Sequence, residues 1–205
     1  MKPELEPLFS AQNGVATSGQ ILSHISRRAL EAALKSGSLE RIWQGIYCLG
    51  EADDWVRLRG LDLASGTEVA ACLGTAAAMY GFDTENPPDL HVLNPEHCRL
   101  RSADGLVVHR RDGAPLTVVD GRPATTPAWT AVEVARSLCR PRALATLDAA
   151  LRSRTCTRAE VWRAAVDQAS RRGIVAVRGL VALADSRAES PMEGNSESRQ
   201  CWERR

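Results

Sequence analysis

The stretch of residues 14–49 constrains the fold of this chain more than any other, because helix caps and turn residues follow one another there at close spacing. Thr17 can cap a first short helix, since its hydroxyl can accept a hydrogen bond from a backbone N–H of the first turn. After a turn at residues 24–25, Ser26 can cap a second helix in the same way, and Gly37 would end it. The spacing therefore predicts two short helices joined by a tight turn.

A hairpin is predicted directly after the second helix. Two short apolar runs, at residues 39–42 and 46–49, are separated by a polar bend that contains a glycine, Trp-Gln-Gly at residues 43–45. Such runs on both sides of a glycine-containing turn are typical of a β-hairpin. With a short helix over residues 4–12 beneath these elements, the order predicts a winged helix-turn-helix over residues 1–50.

The second of these helices has two different faces. One face is apolar, with residues at positions i, i+3 and i+4 that can dock on the rest of the domain: Leu30, Ala33 and Leu34. The opposite face is polar and mostly basic: Arg27, Arg28, Glu31 and Lys35. A helix of this kind fits the major groove of DNA, where its first residues approach base edges and cations hold phosphates.

The predicted DNA-binding site has six residues: Arg27, Arg28, Glu31, Lys35, Arg41 and Gln44. Arg27 and Arg28 would enter the major groove, and Lys35 and Arg41 would hold phosphates. On the hairpin, Arg41 and Gln44 could meet the flanking backbone or the minor groove. Because helix-turn-helix proteins usually occupy two half-sites, we expect a homodimer, or two copies on a repeat, bound to double-stranded DNA.

Two features of this region leave alternatives open. Helix-helix-hairpin elements also occur in modules that bind other proteins, and residues 15–45 hold four Lys/Arg and two Glu, a net charge of only +2. A protein-docking module is therefore the alternative to DNA binding. Trp43 is most simply a core or interface residue, although a wing aromatic could also lie against a sugar-phosphate edge.

Three runs in this region resemble a known family: F-S-A-Q-N-G-V-A-T-S-G-Q-I-L, then S-R-R-A-L, then G-S-L-E-R-I-W-Q-G-I-Y-C-L. They are similar to the N-terminal winged-helix domain of AbiEi-like antitoxins, the antitoxins of type IV abortive-infection systems. They are equally similar to that domain in actinobacterial-type proteins that end in a Vsr-like endonuclease-related domain. The resemblance implies a DNA-binding regulator that represses its own promoter, with a cognate toxin as a further partner. Such sequences usually have Arg-Gly at the wing tip, where this chain has Gln44-Gly45.

The charges of the chain are strongly segregated, although the whole chain has a net charge of only +1. The net charge is +1 over residues 1–50, −6 over 51–135, +7 over 136–180 and −1 over 181–205. The basic region could add affinity for phosphate through counterion release, or its arginines could be the solvated faces of helices. A chain of 205 residues with 44% apolar residues can form one or two cores, and we predict two domains.

The composition also predicts a cytoplasmic chain without a membrane span. The six cysteines contain no C-x-x-C pair, and the charged start M-K-P-E-L-E-P has no apolar core for export. No stretch approaches the roughly 18 uncharged apolar residues that a membrane-spanning helix needs. We therefore expect reduced thiols in the cytoplasm.

Residues 51–185 are predicted to form an α+β domain. Helical periodicity is present over residues 55–63 and 68–80, and four short runs between residues 87 and 126 alternate with period two. These runs predict a small, mostly antiparallel sheet, with a hairpin turn at Asp120-Gly121. Further helices are predicted over residues 127–138, 141–152, 157–172 and 177–185, the third opened by a capping box between Thr157 and Glu160.

The last residues, 186–205, are predicted to be a disordered polar tail. The segment S-R-A-E-S-P-M-E-G resembles the start of the Vsr-like domain, in which Glu193 would match a glutamate of a metal-dependent nuclease site. The later acidic residues and the Glu-x-Lys strand of such a site do not follow, and one carboxylate cannot hold a cation and activate water. We predict that the chain is not an enzyme. A truncated, catalytically inactive member of that endonuclease-related family is a second alternative, and a protein-binding antitoxin that does not contact DNA is a third.

Candidate metal ligands lie within 19 residues of one another: His91, His97, Cys98 and His109. Their spacing, H-x5-H-C-x10-H, matches no common structural zinc pattern. No phosphate-binding loop or H-E-x-x-H motif is present. No metal and no other cofactor is predicted.

Overall fold

The structure, a computed structural model, describes residues 5–110 and 113–185 of the chain. The chain divides into two units, residues 1–69 with 95–100, and residues 70–94 with 101–205. The predictions for the polar tail and for Glu193 lie outside the described residues.

The first unit consists, in chain order, of α1 (Glu6–Ala11), β1 (Val15–Thr17), α2 (Ser18–Leu22), α3 (Arg27–Lys35), β2 (Leu39–Trp43), β3 (Ile46–Leu49) and α4 (Asp54–Ser65). Its three strands form an antiparallel sheet in the order β1-β3-β2. The order of α1 to β3 is consistent with the winged helix-turn-helix that the sequence predicts. Strand β1 was not predicted, because three residues are too few to show a strand period.

Side-chain caps begin the two central helices at the residues that the sequence indicates. Thr17 caps α2 in a capping box: its hydroxyl accepts from the N–H of Gln20, and its own N–H donates to the Gln20 side chain at 2.9 Å. Ser26 caps α3 by accepting a bond of 3.3 Å from the N–H of Ala29. Both helices pack on one apolar core: Leu5, Phe9, Ala16, Ile21, Ile25, Leu30, Leu39 and Tyr47.

Helix α4 belongs to this first unit, although the sequence places the boundary at residue 50. It packs on the sheet beside a second small core that contains Val15, Ile46 and Cys48. Gly60 allows α4 to approach β2 closely, because a Cβ atom at this position would lie only 2.5 Å from Cδ1 of Ile42. The first unit therefore continues to Val69.

The second unit consists of α5 (Leu73–Met79), β4 (Leu90–Leu93), β5 (Leu106–His109), β6 (Leu116–Val119), β7 (Arg122–Thr125), α6 (Pro127–Ser137), α7 (Arg140–Arg152), α8 (Arg158–Asp167) and α9 (Ile174–Val181). Helices α6 to α9 share the largest apolar core, with Leu147 and Val132 fully buried. The α+β class and the hairpin at Asp120-Gly121 are confirmed, since β6 and β7 pair as antiparallel strands across that turn.

One strand pair of the second unit departs from the predicted mostly antiparallel pairing, which β6 and β7 follow. Strands β4 and β5 are parallel, in register from Leu90 opposite Leu106 to Leu93 opposite His109. Parallel neighbours require a crossover connection instead of a tight turn. Residues 94–105 provide this crossover. The period-two pattern of a strand does not indicate whether its neighbour runs parallel or antiparallel, so the sequence did not predict this direction.

The segment before α5 is extended and not helical as predicted from residue 68. The N–H of Ala71 donates to the carbonyl of Pro123 at 2.9 Å, and the carbonyl of Ala71 accepts from Thr125 at 2.9 Å. Ala71 also bridges Val92 of β4. Because this one residue links the two strand pairs, tertiary hydrogen bonding overrides its helical propensity.

Candidate nucleic-acid interface

The orientation of α3 follows from which of its side chains are buried. Leu30 is 6% exposed in the first core, and Ala29, Ala33 and Leu34 pack partly against it. In a helix, residues that do not share this stripe must point to the other side. The polar face of α3 is therefore turned to solvent, as the sequence predicts.

All six residues of the predicted site are exposed: Arg27, Arg28, Glu31 and Lys35 on α3, Arg41 on β2 and Gln44 in the wing turn. Within the described part of the chain, none of the six side chains has a hydrogen bond or an ion pair. Together they contain four cations and one carboxylate, a net charge of +3. A phosphate group that approached this face would meet cations that need not first break an internal contact.

A register irregularity in the hairpin separates its exposed and packed side chains. The pairing of β2 with β3 shifts between Arg41 and Trp43, so Ile42 and Trp43 are both partly buried while Arg41 is exposed. A bulge of this type re-aims a side chain within a strand. It leaves Arg41 on the outer surface of the hairpin that follows the helix.

The base of the wing is held by backbone hydrogen bonding. Gly45 has a φ of 75°, which the turn requires and which glycine adopts without strain. Its carbonyl accepts a bond of 2.8 Å from the N–H of Ser18, the first residue of α2. The turn that presents Gln44 is thus tied to the helix that precedes α3.

The aromatic residue of the wing is not available to DNA through its indole N–H. Trp43 donates that N–H to the carbonyl of Arg57 on α4 at 2.8 Å, and its ring packs in the second small core. The simpler prediction, that Trp43 is a core residue, agrees with this partly buried packing, and contact of its ring with a sugar-phosphate edge stays a prediction. The packing of α4 against the hairpin was not predicted from the sequence. Gly60, a glycine within a helical pattern, was the signal for this close approach.

The candidate metal ligands do not assemble into one group. His91 and His109 lie on the parallel strands of the second unit, with Nδ1 of one 2.9 Å from Nε2 of the other and with stacked rings. His97 and Cys98 belong to the first unit. Across residues 5–110 and 113–185, no three or more His, Cys, Asp or Glu side chains are placed to hold a metal ion.

In the same described ranges, none of the helices combines the length and the apolar composition needed to cross a membrane.

Comparison with known proteins gives matches over both units. Residues 3–50 match the family model of the transcriptional regulator described as AbiEi antitoxin, and residues 69–183 match that of the AbiEi antitoxin C-terminal domain. In the solved structures, the Rv2827c protein of Mycobacterium tuberculosis aligns with a TM-score of 0.55 at 16% identity, over 93% of this chain and 85% of that chain. This last likeness concerns the fold alone.

Two curated relatives come from Mycobacterium tuberculosis: uncharacterized protein MT2308 of strain CDC 1551 / Oshkosh and uncharacterized protein Rv2248 of strain ATCC 25618 / H37Rv. Each is 56% identical over 172 residues, which is 84% of this chain and 63% of the relative. The chain thus spans less than two thirds of the length of these relatives. Because the match to the C-terminal domain alone covers more than half of the chain, this protein belongs to the AbiEi antitoxin family.

Proposed function

We propose that this chain is a DNA-binding transcriptional regulator that represses its own promoter. In this proposal α3 enters the major groove, Arg27 and Arg28 approach base edges, and Lys35 and Arg41 hold phosphates on either side. The observation that supports it is the exposed face of α3 and its hairpin, where four cations have no internal partner in the described residues. Binding over a promoter would exclude RNA polymerase.

Membership of the AbiEi family adds the antitoxin role to this proposal. The protein would act in the cytoplasm together with a cognate toxin, and it would regulate and not catalyse. Two half-sites are the usual target of a helix-turn-helix protein. We therefore propose that a homodimer, or two copies on a repeated sequence, occupies the operator.

An electrophoretic mobility shift assay tests the DNA-binding part. The probe is the duplex immediately upstream of the coding sequence, and the competitor is an unrelated duplex of equal length. The wild-type chain should shift the probe in the presence of the competitor. The variant Arg27→Ala with Arg28→Ala should abolish the specific shift, because each lost base contact weakens binding by about 1–3 kcal/mol.

The matched control is Arg99→Ala with Arg101→Ala, which removes the same charge from two exposed arginines outside α3 and the hairpin. This control should retain the shift. Equal losses in both double variants would mean that only overall charge matters, and the proposed recognition helix would be rejected. A wild-type chain that binds upstream and unrelated DNA equally would contradict a sequence-specific regulator.

The same promoter placed before a reporter gene tests repression in cells. The wild-type chain should lower reporter output, and the Arg27 and Arg28 double variant should restore it. A protein-binding antitoxin that does not contact DNA predicts the opposite pattern: protection from the toxin encoded by the adjacent gene, without repression. The truncated, inactive nuclease alternative predicts neither repression nor cleavage. Magnesium-dependent cleavage that Glu193→Ala removes would instead indicate an active nuclease; Glu193 lies outside the described residues.

A further inference from the structure

The outer surface of α8 and α9 carries most of the large apolar side chains that face solvent. Among the described residues, six large apolar side chains are exposed. Four of them lie on these two helices or directly after them: Trp162, Val166, Val175 and Leu183, which are 48%, 47%, 80% and 58% exposed. These four residues define the α8–α9 face.

Helix α9 is apolar almost all round, although only one of its sides is covered. Its eight residues contain a single polar side chain, that of Arg178. The covered side packs in the largest core of the second unit: Ile174, Val177, Leu180 and Val181. A helix that is apolar all round is normally buried on all sides. The exposed side of α9 therefore has the composition of a surface that another chain covers.

The exposed apolar side chains of α8 and α9 lie on adjoining edges of the two helices. Arg178 of α9 donates from Nε and Nη2 to the carbonyl of Ala165 of α8, at 3.2 and 3.1 Å. Arg158 of α8 donates to a backbone carbonyl just past the end of α9. Trp162 is four residues after Arg158, and Val175 is three residues before Arg178, so each lies on the edge where its helix meets the other. The α8–α9 face is therefore continuous across the helix pair.

The α8–α9 face has about the apolar area that a stable homodimer needs. Exposed alanines extend it: Ala159, Ala169 and Ala182. Together with the four large side chains they form a patch on the order of 500 Å², which is at the upper end of what monomers expose. A standard interface buries about 800 Å² on each partner, and about 65% of a homodimer interface is apolar, which is also about 500 Å². The face can supply that apolar part by itself.

The charges at the border of this face are balanced in sign. Arg163 and Asp167, both exposed, directly follow Trp162 and Val166 in the chain. They are four residues apart and share one side of α8. In a two-fold interface each surface meets its own copy, so a border of one sign would repel itself, whereas arginine and aspartate can pair across the axis. The charge pattern thus favours a second copy of this chain over a strongly basic or acidic partner.

We propose that the α8–α9 face binds the same face of a second copy, so that two chains form a homodimer with two-fold symmetry. Trp162 is its main anchor, because aromatic side chains carry much of the binding energy of protein interfaces. The proposal rests on the homodimer of the proposed function and names its interface. Its test uses no DNA, so its failure is distinguishable from a failure of DNA binding in the mobility shift assay.

Sedimentation equilibrium of the full chain measures the association. The wild-type chain should show a monomer–dimer equilibrium with a dissociation constant of about micromolar or below, as interfaces of this size do. Val175→Glu and Trp162→Glu each place a carboxylate in the face of both copies and should weaken the dimer by about 30-fold or more. The matched control is Leu22→Glu, at an apolar side chain of α2 that is 42% exposed, and it should dimerise as the wild type does.

Two further measurements separate association from folding. Thermal unfolding of each variant, at a concentration where the wild type is monomeric, should match the wild type, because the replaced side chains are exposed within one chain. The indole 1H–15N signal of Trp162, assigned with Trp162→Phe, should shift as the chain is concentrated. The signal of Trp43, whose N–H is bonded to Arg57, should stay in place.

Three results would overturn the proposal. The first is a wild-type chain that stays monomeric up to about 200 μM, far above the dissociation constants of such interfaces. Occupation of the face by a different protein, or by another part of the same chain, would give this result. The second is a dimer that persists equally in Val175→Glu and Trp162→Glu. The third is a chain that dimerises without any shift of the Trp162 signal.

Discussion

The indole N–H of Trp43 donates to the carbonyl oxygen of Arg57 at 2.8 Å, and the guanidinium carbon of the same arginine lies 5.2 Å from the centre of that ring. This pair of contacts joins the hairpin to α4. The position of the wing therefore depends on a helix that follows the winged helix-turn-helix in the chain.

Replacing Trp43 by phenylalanine should destabilise the first unit by about 1–2 kcal/mol, because the hydrogen bond and part of the cation–π contact are lost. Thermal unfolding should show a lower midpoint. Trp162→Phe, at an indole that is 48% exposed, is the control and should change the midpoint little. Equal midpoints for Trp43→Phe and the wild type would show that the contact with Arg57 does not stabilise the hairpin.

Gly60→Ala should be destabilising by about 1–3 kcal/mol, the usual cost of overpacking. The new Cβ would lie 3.0 Å from Cδ1 of Trp43 and 3.2 Å from Cγ2 of Ile46. The Trp43 ring is held by its bond to Arg57, and a β-branched side chain has little rotamer freedom. Gly179→Ala, in α9, is the matched control. Its Cβ would meet nothing within 4 Å, so the free energy of unfolding should rise by about 0.5–1 kcal/mol through the higher helix propensity of alanine. Denaturant unfolding of both variants gives the comparison, and a stabilised Gly60→Ala would refute the packing argument.

Gln44→Arg should strengthen DNA binding and increase its salt dependence. Gln44 in the wing turn is exposed, and an arginine there adds a cation beside Gly45. One added phosphate contact should steepen the slope of log K against log salt by about 0.9. Fluorescence anisotropy with labelled operator duplex at several salt concentrations measures this slope. Gln44→Glu should weaken binding; unchanged slopes in both variants would place the wing tip away from the DNA.

The stacked histidine pair should make stability depend on pH in mildly acid solution. Burial lowers the pKa of His109 to about 4, with further lowering by His91 and Arg136. Burial also lowers the pKa of His91, against the opposing effect of Asp89 and Asp83. The unfolded chain, with a histidine pKa of about 6.5, therefore binds more protons than the folded chain between these values. The full contribution is present above a pH of about 6.5 and is lost as the pH falls toward about 4.

Denaturant unfolding at a series of pH values measures this loss. His109→Gln removes the group with the largest shift and should flatten the decline in the free energy of unfolding between pH 6.5 and 4. His24→Gln changes an exposed histidine of the first unit and serves as the control. A decline that is equally steep in His109→Gln and in the wild type would assign the acid sensitivity to other groups.

Local chemistry was sufficient for most helix starts and turns. Thr17, Ser26 and Thr157 cap the helices that their positions indicate, and the Asp120-Gly121 turn joins two strands. Each of these signals depends on hydrogen bonds or backbone angles within a few residues. The exposed basic face of α3 was also predictable, because helical periodicity alone separates it from Leu30.

The sequence by itself determined these local elements and the residues that the proposed DNA-binding face presents. Three features were decided only by the tertiary structure. Ala71 is extended and links two strand pairs, where the sequence predicts a helix; β4 and β5 run parallel; and α4 supports the wing. Each of these depends on contacts between residues far apart in the chain, such as Trp43 with Arg57 or Ala71 with Pro123. Their free energy comes from packing and hydrogen bonds that exist only once the distant segments meet, and no local pattern of residues encodes which segments those are.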